Sequence, residues 1–158
     1  MGSTSDLEAV SGCLKTLEEL GVPCEARVLS AHRTPEALRD YVIAAPGRGV
    51  RVFIAAAGGA AALAGVVASH TILPVVGIPM ETRSLGGLDS LLSTVQMPAG
   101  IPVAAMAIGA GGATNAALFA AGILALSSPA IAEALRKYRQ SRADKILALG
   151  DVRAGGGA

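Results

Sequence analysis

Apolar segments of two kinds alternate along this chain, and the alternation constrains the fold more than any other feature of the sequence. Residues 7–20 repeat apolar side chains at the helical period, and Gly21 predicts the end of that helix. The runs "VRVFIAAA" and "ILPVVGIP" are instead apolar at nearly every position, with Arg51 as the one charged residue, which is typical of strands buried on both faces. Such strands alternating with helices predict an α/β fold, in which helices cover both sides of a parallel sheet.

The remaining segments continue this pattern. "CEARVLS" and "IPVAAMAI" read as further strands, and "AAALAGVVASH", "LDSLLSTVQ" and "TNAALFAAGILAL" as helices. Thr34 followed by Pro35 predicts a helix start, and Ser128 predicts the start of a last helix that runs to about Leu149. We therefore predict a single domain over residues 1–149, followed by a disordered tail over residues 150–158.

The charge content predicts an oligomer. Of the 158 residues, 52% are hydrophobic and only 16% are charged, so a monomer would leave much apolar surface uncovered. The net charge of +1 gives no electrostatic signal for nucleic acid or an anionic membrane. No charged residue occurs between Asp89 and Glu133, but prolines and glycines interrupt this run, which favours buried elements over a membrane helix.

Cysteine and histidine are scarce. Cys13 and Cys24 have no metal-ligand spacing, and only two histidines are present, so we expect no bound metal. Isolated thiols favour a reducing compartment, and the first residues do not have the pattern of a secretory signal peptide. We expect a cytoplasmic protein.

The glycine-rich and polar clusters fall where predicted strands give way to helices, which is where ligands bind in parallel sheets. In "GSTSD", backbone N–H groups at a helix start, with the hydroxyls of Ser3 and Ser5, form a possible phosphate cradle. Ser and Asp at a helix start are also ordinary capping residues. Both interpretations remain open at this point.

The segment "SAHRTP" offers the groups best suited to chemistry. Histidine side chains ordinarily titrate at about pH 6.5, so His32 is a candidate for proton transfer at neutral pH. Arg33 is a candidate for a bidentate contact with phosphate or carboxylate. The alternative is a solvated surface loop. His70, at the predicted end of a helix, is better explained as compensation of the helix dipole.

Two more junctions have simpler explanations beside the functional one. Gly58 and Gly59 allow the backbone to approach either a ligand or a neighbouring helix. The helix "LDSLLSTVQ" offers four polar residues for ligand contact, with capping and turn formation as the alternative: Asp89, Ser90, Ser93 and Gln96. For Ser93 and Gln96 we prefer the alternative.

Taken in order and spacing, five stretches resemble the class I N5-carboxyaminoimidazole ribonucleotide (N5-CAIR) mutases, the PurE family: "GSTSD", "SAHRTP", "AGGAA", "GLDSLLSTVQMPAGIPV" and "AIGAGGATNAAL". The resemblance covers roughly residues 1–148. It implies a three-layer α/β/α, flavodoxin-like fold, a homo-octamer, and no metal or organic cofactor. The implied reaction in purine biosynthesis moves a carboxylate from the exocyclic nitrogen of an aminoimidazole ribonucleotide to ring carbon C4.

The resemblance also implies a site. His32 falls on the catalytic histidine, and the implied substrate-binding residues are Ser3, Asp6, Ser30, Arg33, Gly58, Gly59 and Ala60. Two other functions stay open: an aminoimidazole ribonucleotide carboxylase that uses free CO₂, and a nucleotide-binding relative without catalysis. The stretch "AAAGGAAALAG" departs from the family pattern, because Ala56 replaces a glycine, Ala62 a histidine and Ala64 a proline.

Family members have a β-strand before the "GSTSD" turn, and in this fold that strand is central in the sheet. Only Met1 precedes the turn here. A sheet without its central strand leaves buried backbone groups unpaired, which is costly. We therefore expect that the first strand is missing from this chain and that the natural start lies upstream of Met1.

Overall fold

The computed structural model describes residues 1–150, and a sheet of three parallel strands lies at its centre. The strands lie side by side in chain order: β1 (Phe53–Ala57), β2 (Val75–Pro79) and β3 (Ala104–Ala105). β1 pairs with β2, and β2 pairs with β3, in parallel register. All five residues of β2 are buried, as expected of a strand covered on both faces.

Six α-helices surround the sheet: α1 (Leu7–Glu19), α2 (Pro35–Ala44), α3 (Leu63–Ser69), α4 (Leu88–Val95), α5 (Gly109–Ala125) and α6 (Pro129–Leu147). Two short 3₁₀ turns precede α1 and follow α2, at Thr4–Asp6 and Ala45–Arg48. Within residues 1–150, none of the helices has the length and apolar character that crossing a bilayer requires.

The sheet separates two apolar cores. On one face, side chains such as Ala56 and Val76 pack with helices α1, α5 and α6. On the other face, their neighbours Phe53, Ala55 and Val75 pack with α2 and α3. Successive strand residues point to opposite faces, so this division follows from the pleat of the strands. The arrangement confirms the predicted three-layer α/β/α fold.

Local capping signals place two helices as predicted. Ser128 is the N-cap of α6, and its Oγ accepts a hydrogen bond from the Ile131 N–H at 3.5 Å. Thr34 is the N-cap of α2, but its hydroxyl makes no capping bond. Instead, Thr34 Oγ1 accepts from the Ser30 N–H at 2.9 Å and donates to the Ser30 carbonyl at 3.1 Å. Thr34 therefore closes the loop before α2.

Two strand predictions are wrong or too long. The segment 24–30 forms no strand, and "IPVAAMAI" contributes only the two residues of β3. A strand is defined by hydrogen bonds to a neighbouring strand. Within residues 1–150, segment 24–30 makes such backbone bonds to an extended neighbour only at Met1. Of the predicted tail 150–158, only Gly150 belongs to the described residues.

Candidate active site

The predicted junctions lie along one edge of the sheet, where the carboxyl ends of the strands meet. β1 leads into Gly58 and Gly59, β2 leads into the loop before α4, and β3 leads into the start of α5 at Gly109. The 3₁₀ turn at Thr4–Asp6 joins this edge because the Gly2 N–H donates to the carbonyl of Ala56 in β1, at 3.1 Å. Parallel sheets bind ligands at such an edge.

Arg33 connects the two N-terminal junctions. Its Nη2 donates to the Gly2 carbonyl at 2.9 Å. Ser30 Oγ accepts two hydrogen bonds from Arg33, from the backbone N–H at 3.2 Å and from Nε at 3.4 Å. Ser30 thus orients the guanidinium, and the structure brings "SAHR" against "GSTS".

His32 lies on the same loop as Arg33, with its side chain exposed. Its imidazole makes no hydrogen bond to any other residue of the range 1–150. An exposed ring with both nitrogens unengaged by the protein is open to a ligand that approaches this edge of the sheet.

Ser3 and Asp6 form the turn before α1. Ser3 Oγ accepts hydrogen bonds from the Ser5 N–H at 3.3 Å and from the Ser5 hydroxyl at 2.9 Å, so Ser3 caps the 3₁₀ turn. Asp6 is half-buried and is the N-cap of α1. The capping interpretation is therefore correct for Ser3.

The glycine pair after β1 is held by α4. Gly59 has a φ of +67°, a conformation that favours glycine. Its N–H donates to Ser90 Oγ at 2.9 Å, and Ser90 is fully buried. The Ser93 hydroxyl donates to the carbonyls of Asp89 at 2.8 Å and Gly59 at 3.3 Å. Ser90 and Ser93 therefore fix the loop rather than face a ligand, and the exposed Ala60 follows it.

The start of α4 is tied to the end of β2 by Thr82. Thr82 Oγ1 donates to Asp89 Oδ1 at 2.7 Å and accepts from the Gly87 N–H at 3.1 Å. The sequence reasoning missed Thr82. Its position shortly after a buried strand, at the edge where the other junctions meet, is the signal that could have identified it.

Close contact with β2 sets the height of α4 above the sheet. Gly77 lies in the middle of β2, and a Cβ atom there would collide with the methyl group of Thr94. Thr94 is buried in α4, and its hydroxyl donates to the Ser90 carbonyl at 2.8 Å. The missing side chain at Gly77 thus allows α4 to sit where Ser90 reaches Gly59.

Comparison with known proteins identifies the family. The sequence model of the family described as AIR carboxylase matches residues 1–145. This chain belongs to the AIR carboxylase family. The matched region covers nearly all of the described residues, including each of the junctions at the sheet edge.

Named relatives in this family are similar over most of the chain. The N5-carboxyaminoimidazole ribonucleotide mutase of Pseudomonas aeruginosa is 51% identical over 93% of this chain and 90% of the relative. The bifunctional purine synthesis protein purC/E of Dictyostelium discoideum is 53% identical over 92% of this chain, which spans 15% of that longer protein. The crystal structure of Treponema denticola PurE has a TM-score of 0.83 at 29% identity, over 94% of this chain and 92% of that chain.

The three alanines that depart from the family pattern are accommodated differently. Ala56 and Ala64 are buried in β1 and α3, where they belong to the two apolar cores. Ala62 is half-buried at the N-cap of α3, close to the glycine pair in sequence. Of the three, Ala62 is the one that replaces a histidine, so the imidazole of the family pattern is lost at this position.

Proposed function

We propose that this protein converts N5-CAIR to 4-carboxyaminoimidazole ribonucleotide, with His32 as the general acid and base. The observation that carries the proposal is the hydrogen-bonded connection from Arg33 through Gly2 to Ala56, which brings "SAHR", "GSTS" and the glycine pair to one edge. The similarity to relatives named as this mutase, at about 50% identity over most of their length, supports it.

The first step is decarboxylation. The carbamate carbon–nitrogen bond breaks, CO₂ leaves, and the bonding electron pair returns to the exocyclic nitrogen, which takes a proton. We assign the donation of that proton to the exposed imidazole of His32, in its protonated form.

The second step reverses the proton flow. The electron-rich ring carbon C4 attacks CO₂ to form a carbon–carbon bond, and the hydrogen on C4 is then lost as a proton. The neutral imidazole left by the first step is the acceptor, so His32 returns to its starting state. CO₂ must stay in place between the steps, and the alanine-rich surface that follows β1 provides an apolar boundary for it.

Binding of the ribonucleotide rests on the remaining junction residues. Arg33 uses one guanidinium nitrogen for Gly2 and Nε for Ser30, which leaves further N–H donors for an anionic group. The turn that Ser3 caps adds backbone N–H groups at a helix start, and Gly59, whose own N–H is taken by Ser90, shapes the neighbouring loop. Ser30 acts by orienting Arg33, and Asp6, Gly58 and Ala60 complete the proposed substrate surface.

The test is direct conversion of N5-CAIR by purified protein, followed through the product's ultraviolet absorbance. The expected result is turnover without added bicarbonate, which His32→Asn abolishes. Turnover of aminoimidazole ribonucleotide that requires bicarbonate would instead indicate the carboxylase reaction, which the family's description as AIR carboxylase makes the specific alternative. Saturable substrate binding without turnover in either assay would indicate a binding relative.

We also propose that the protein is a cytoplasmic homo-octamer. Large apolar side chains are exposed on α4, on α5, just after α5 and in the loop before β2, including Leu92, Phe119, Leu126 and Ile72. Burial of such side chains between subunits would remove them from water. Both cysteines are free thiols, in keeping with a reducing compartment. Light scattering at several protein concentrations tests the octamer, and a stable monomer would contradict it.

A further inference from the structure

Asp89 lies on the face of α4 that is turned toward the glycine pair. Asp89 and Ser93 are four residues apart, so they share one face of the helix. The Ser93 hydroxyl reaches the Gly59 carbonyl at 3.3 Å, which places that face against the loop after β1. Asp89 is therefore on the same side of α4 as the candidate active site, one turn before Ser93.

Thr82 bridges the Asp89 carboxylate and the glycine pair. Its hydroxyl donates to Asp89 Oδ1 at 2.7 Å. The methyl group of the same side chain would be 3.7 Å from a Cβ atom at Gly58, which is an ordinary packing distance. One threonine side chain therefore contacts both the carboxylate and the first glycine of the pair, and the carboxylate lies close to the proposed substrate surface.

The loop between β2 and α4 is closed tightly, so Thr82 has a fixed position. Its hydroxyl accepts a hydrogen bond from the Gly87 N–H at 3.1 Å. Gly87 has a φ of +93°, and a Cβ atom there would be 3.1 Å from the Met80 carbonyl, so the loop folds back onto the end of β2. A carboxylate that is oriented in advance in this way loses little conformational entropy when it binds a ligand.

The second oxygen of the Asp89 carboxylate is available to a ligand. Within residues 1–150, the only side-chain hydrogen bond of Asp89 is the one from Thr82, and no lysine or arginine of that range forms a salt bridge with it. Asp89 is half-buried, so solvent and ligands still reach it. A carboxylate offers acceptor positions on both oxygens, and those of Oδ2 are unused by the described chain.

Arg33 and Asp89 flank the glycine pair from opposite sides of β1. Arg33 bonds to Gly2, which pairs with one edge of β1, whereas Thr82 follows β2 at the other edge. One side of the candidate site therefore carries a cation that suits the anionic group of a ribonucleotide. The other side carries an acceptor that suits its hydrogen-bond donors.

We propose that Asp89 is a substrate-binding residue whose Oδ2 accepts a hydrogen bond from an O–H or N–H group of the ribonucleotide, and that Thr82 is the positioning residue that aims it. This inference rests on the proposed function, which supplies the ligand. The ribonucleotide has two kinds of donor that a carboxylate recognises, the hydroxyl groups of ribose and the exocyclic amino group of the imidazole. Either one would form a charge-assisted hydrogen bond with Asp89.

Asp89→Asn separates binding from loop structure. The amide oxygen of asparagine still accepts from Thr82, so the melting temperature should stay the same, but the amide NH₂ puts a donor where the free acceptor was. Calorimetry with aminoimidazole ribonucleotide should show binding about 10- to 100-fold weaker than in the parent. The KM for N5-CAIR should rise by a similar factor, with a smaller change in kcat.

The matched control is Asp144→Asn, the same change at an exposed aspartate of α6 that accepts a hydrogen bond from Gln140. It should bind aminoimidazole ribonucleotide as the parent does. Equal affinities of the parent and Asp89→Asn would overturn this inference and leave the proposed function standing. A parent that binds no aminoimidazole ribonucleotide would overturn the proposed function and this inference with it.

A second ligand, ribose 5-phosphate, identifies the donor that Asp89 recognises. If the donor is a ribose hydroxyl, Asp89→Asn should weaken the binding of ribose 5-phosphate and of aminoimidazole ribonucleotide alike. If the donor is the exocyclic amino group, only the binding of aminoimidazole ribonucleotide should weaken. Either result supports the proposal, and loss of neither affinity contradicts it.

The positioning role of Thr82 is tested by two substitutions. Thr82→Val keeps the shape of the side chain and removes the hydroxyl, so it should weaken the binding of aminoimidazole ribonucleotide, whereas Thr82→Ser keeps the hydroxyl and should bind as the parent does. In an Asp89→Asn background, Thr82→Val should weaken binding no further, because the two residues act as one unit. Unchanged affinity in Thr82→Val, or equal weakening by valine and serine, would overturn the positioning role.

Discussion

The two halves of the candidate site are built in different ways. The half formed by Ser3, His32 and Arg33 lies near the surface, and a few hydrogen bonds along exposed loops hold it. The half formed by Gly58 and Gly59 rests on the buried hydroxyl of Ser90. One half offers free donors and an open imidazole, whereas the other offers a fixed backbone.

The two halves of the candidate site therefore have different tasks: one reacts with or binds the ligand, and the other shapes the pocket. Side chains that exchange protons or contact an anion must remain accessible, and the exposed loop keeps them so. A backbone that shapes a pocket must not move, and burial of its supporting hydroxyl enforces that. We therefore expect substitutions in the exposed half to change activity much more than stability, and substitutions under the glycine pair to change both.

Substitution of His32 gives the sharpest test of this division. His32→Asn should lower turnover by about 10²–10⁴-fold, the usual contribution of a general acid and base. The melting temperature should stay the same, because the exposed imidazole makes no hydrogen bond within the described chain. His70→Asn is the matched control at an exposed helix end. Activity of His32→Asn within a few-fold of the parent would contradict the assignment.

Arg33→Ala should produce the next largest effect. Loss of a charge-assisted contact should raise the KM for the ribonucleotide about 10- to 100-fold, with a smaller change in kcat. Ser3→Ala should act in the same direction, more weakly. Arg39→Ala is the control, because Arg39 is an exposed arginine of α2 that pairs with Glu36. Calorimetry that shows unchanged affinity in both site variants would place the anion cradle elsewhere.

Ser90→Ala should change both stability and activity. It removes the acceptor of the Gly59 N–H, which should lower the free energy of unfolding by about 1–3 kcal/mol and raise KM. Ser93→Ala is the matched comparison and should have a smaller effect, because its hydroxyl is exposed and its bond to Gly59 is longer, at 3.3 Å. Chemical denaturation and steady-state kinetics measure both quantities. A loss of activity at unchanged stability would contradict the supporting role of Ser90.

The smallest expected effect is on the pH dependence of stability, and it concerns Cys13, which lies outside both halves of the candidate site. Burial raises the pKa of the Cys13 thiol from 9.0 to about 11. The folded chain therefore holds this proton more tightly than the unfolded chain does. The resulting stabilisation is complete below about pH 9 and is lost as the pH rises through 11.

Melting temperatures measured between pH 8 and 11 test this expectation. Cys13→Ala should lower the melting temperature at pH 8 and should flatten its further decline with pH. Cys24→Ser is the control at an exposed thiol. Parallel pH dependence of the parent and Cys13→Ala would show that another group is responsible.

The sequence predicts the parts of this molecule that depend on local signals. Pro35 begins α2 and Ser128 caps α6 as expected, because each signal acts within one turn of helix. Uninterrupted apolar runs also predict β1 and β2. The segment 24–30 has equally suitable residues, but a strand needs a neighbour along its length, and composition does not report whether one is there.

The same distinction applies to the candidate site. The motifs "SAHR" and "GSTS" are visible in the sequence, and so is the glycine pair. The support from Ser90 to Gly59 spans 31 positions, and the link from Arg33 to Gly2 also spans 31. Contacts over such separations arise from packing of the whole fold. The sequence therefore left the role of Ser90 open, and Thr82 was missed.

Gly77 shows how a residue without a side chain can act at a distance. It lies in the middle of the sheet, yet it sets the depth at which α4 rests and hence the reach of Ser90. A single methyl group there would lift the helix by way of Thr94 and release the loop at the far edge. A genetic screen for lost activity should therefore recover replacements of this glycine, even though it lies away from every residue of the candidate site.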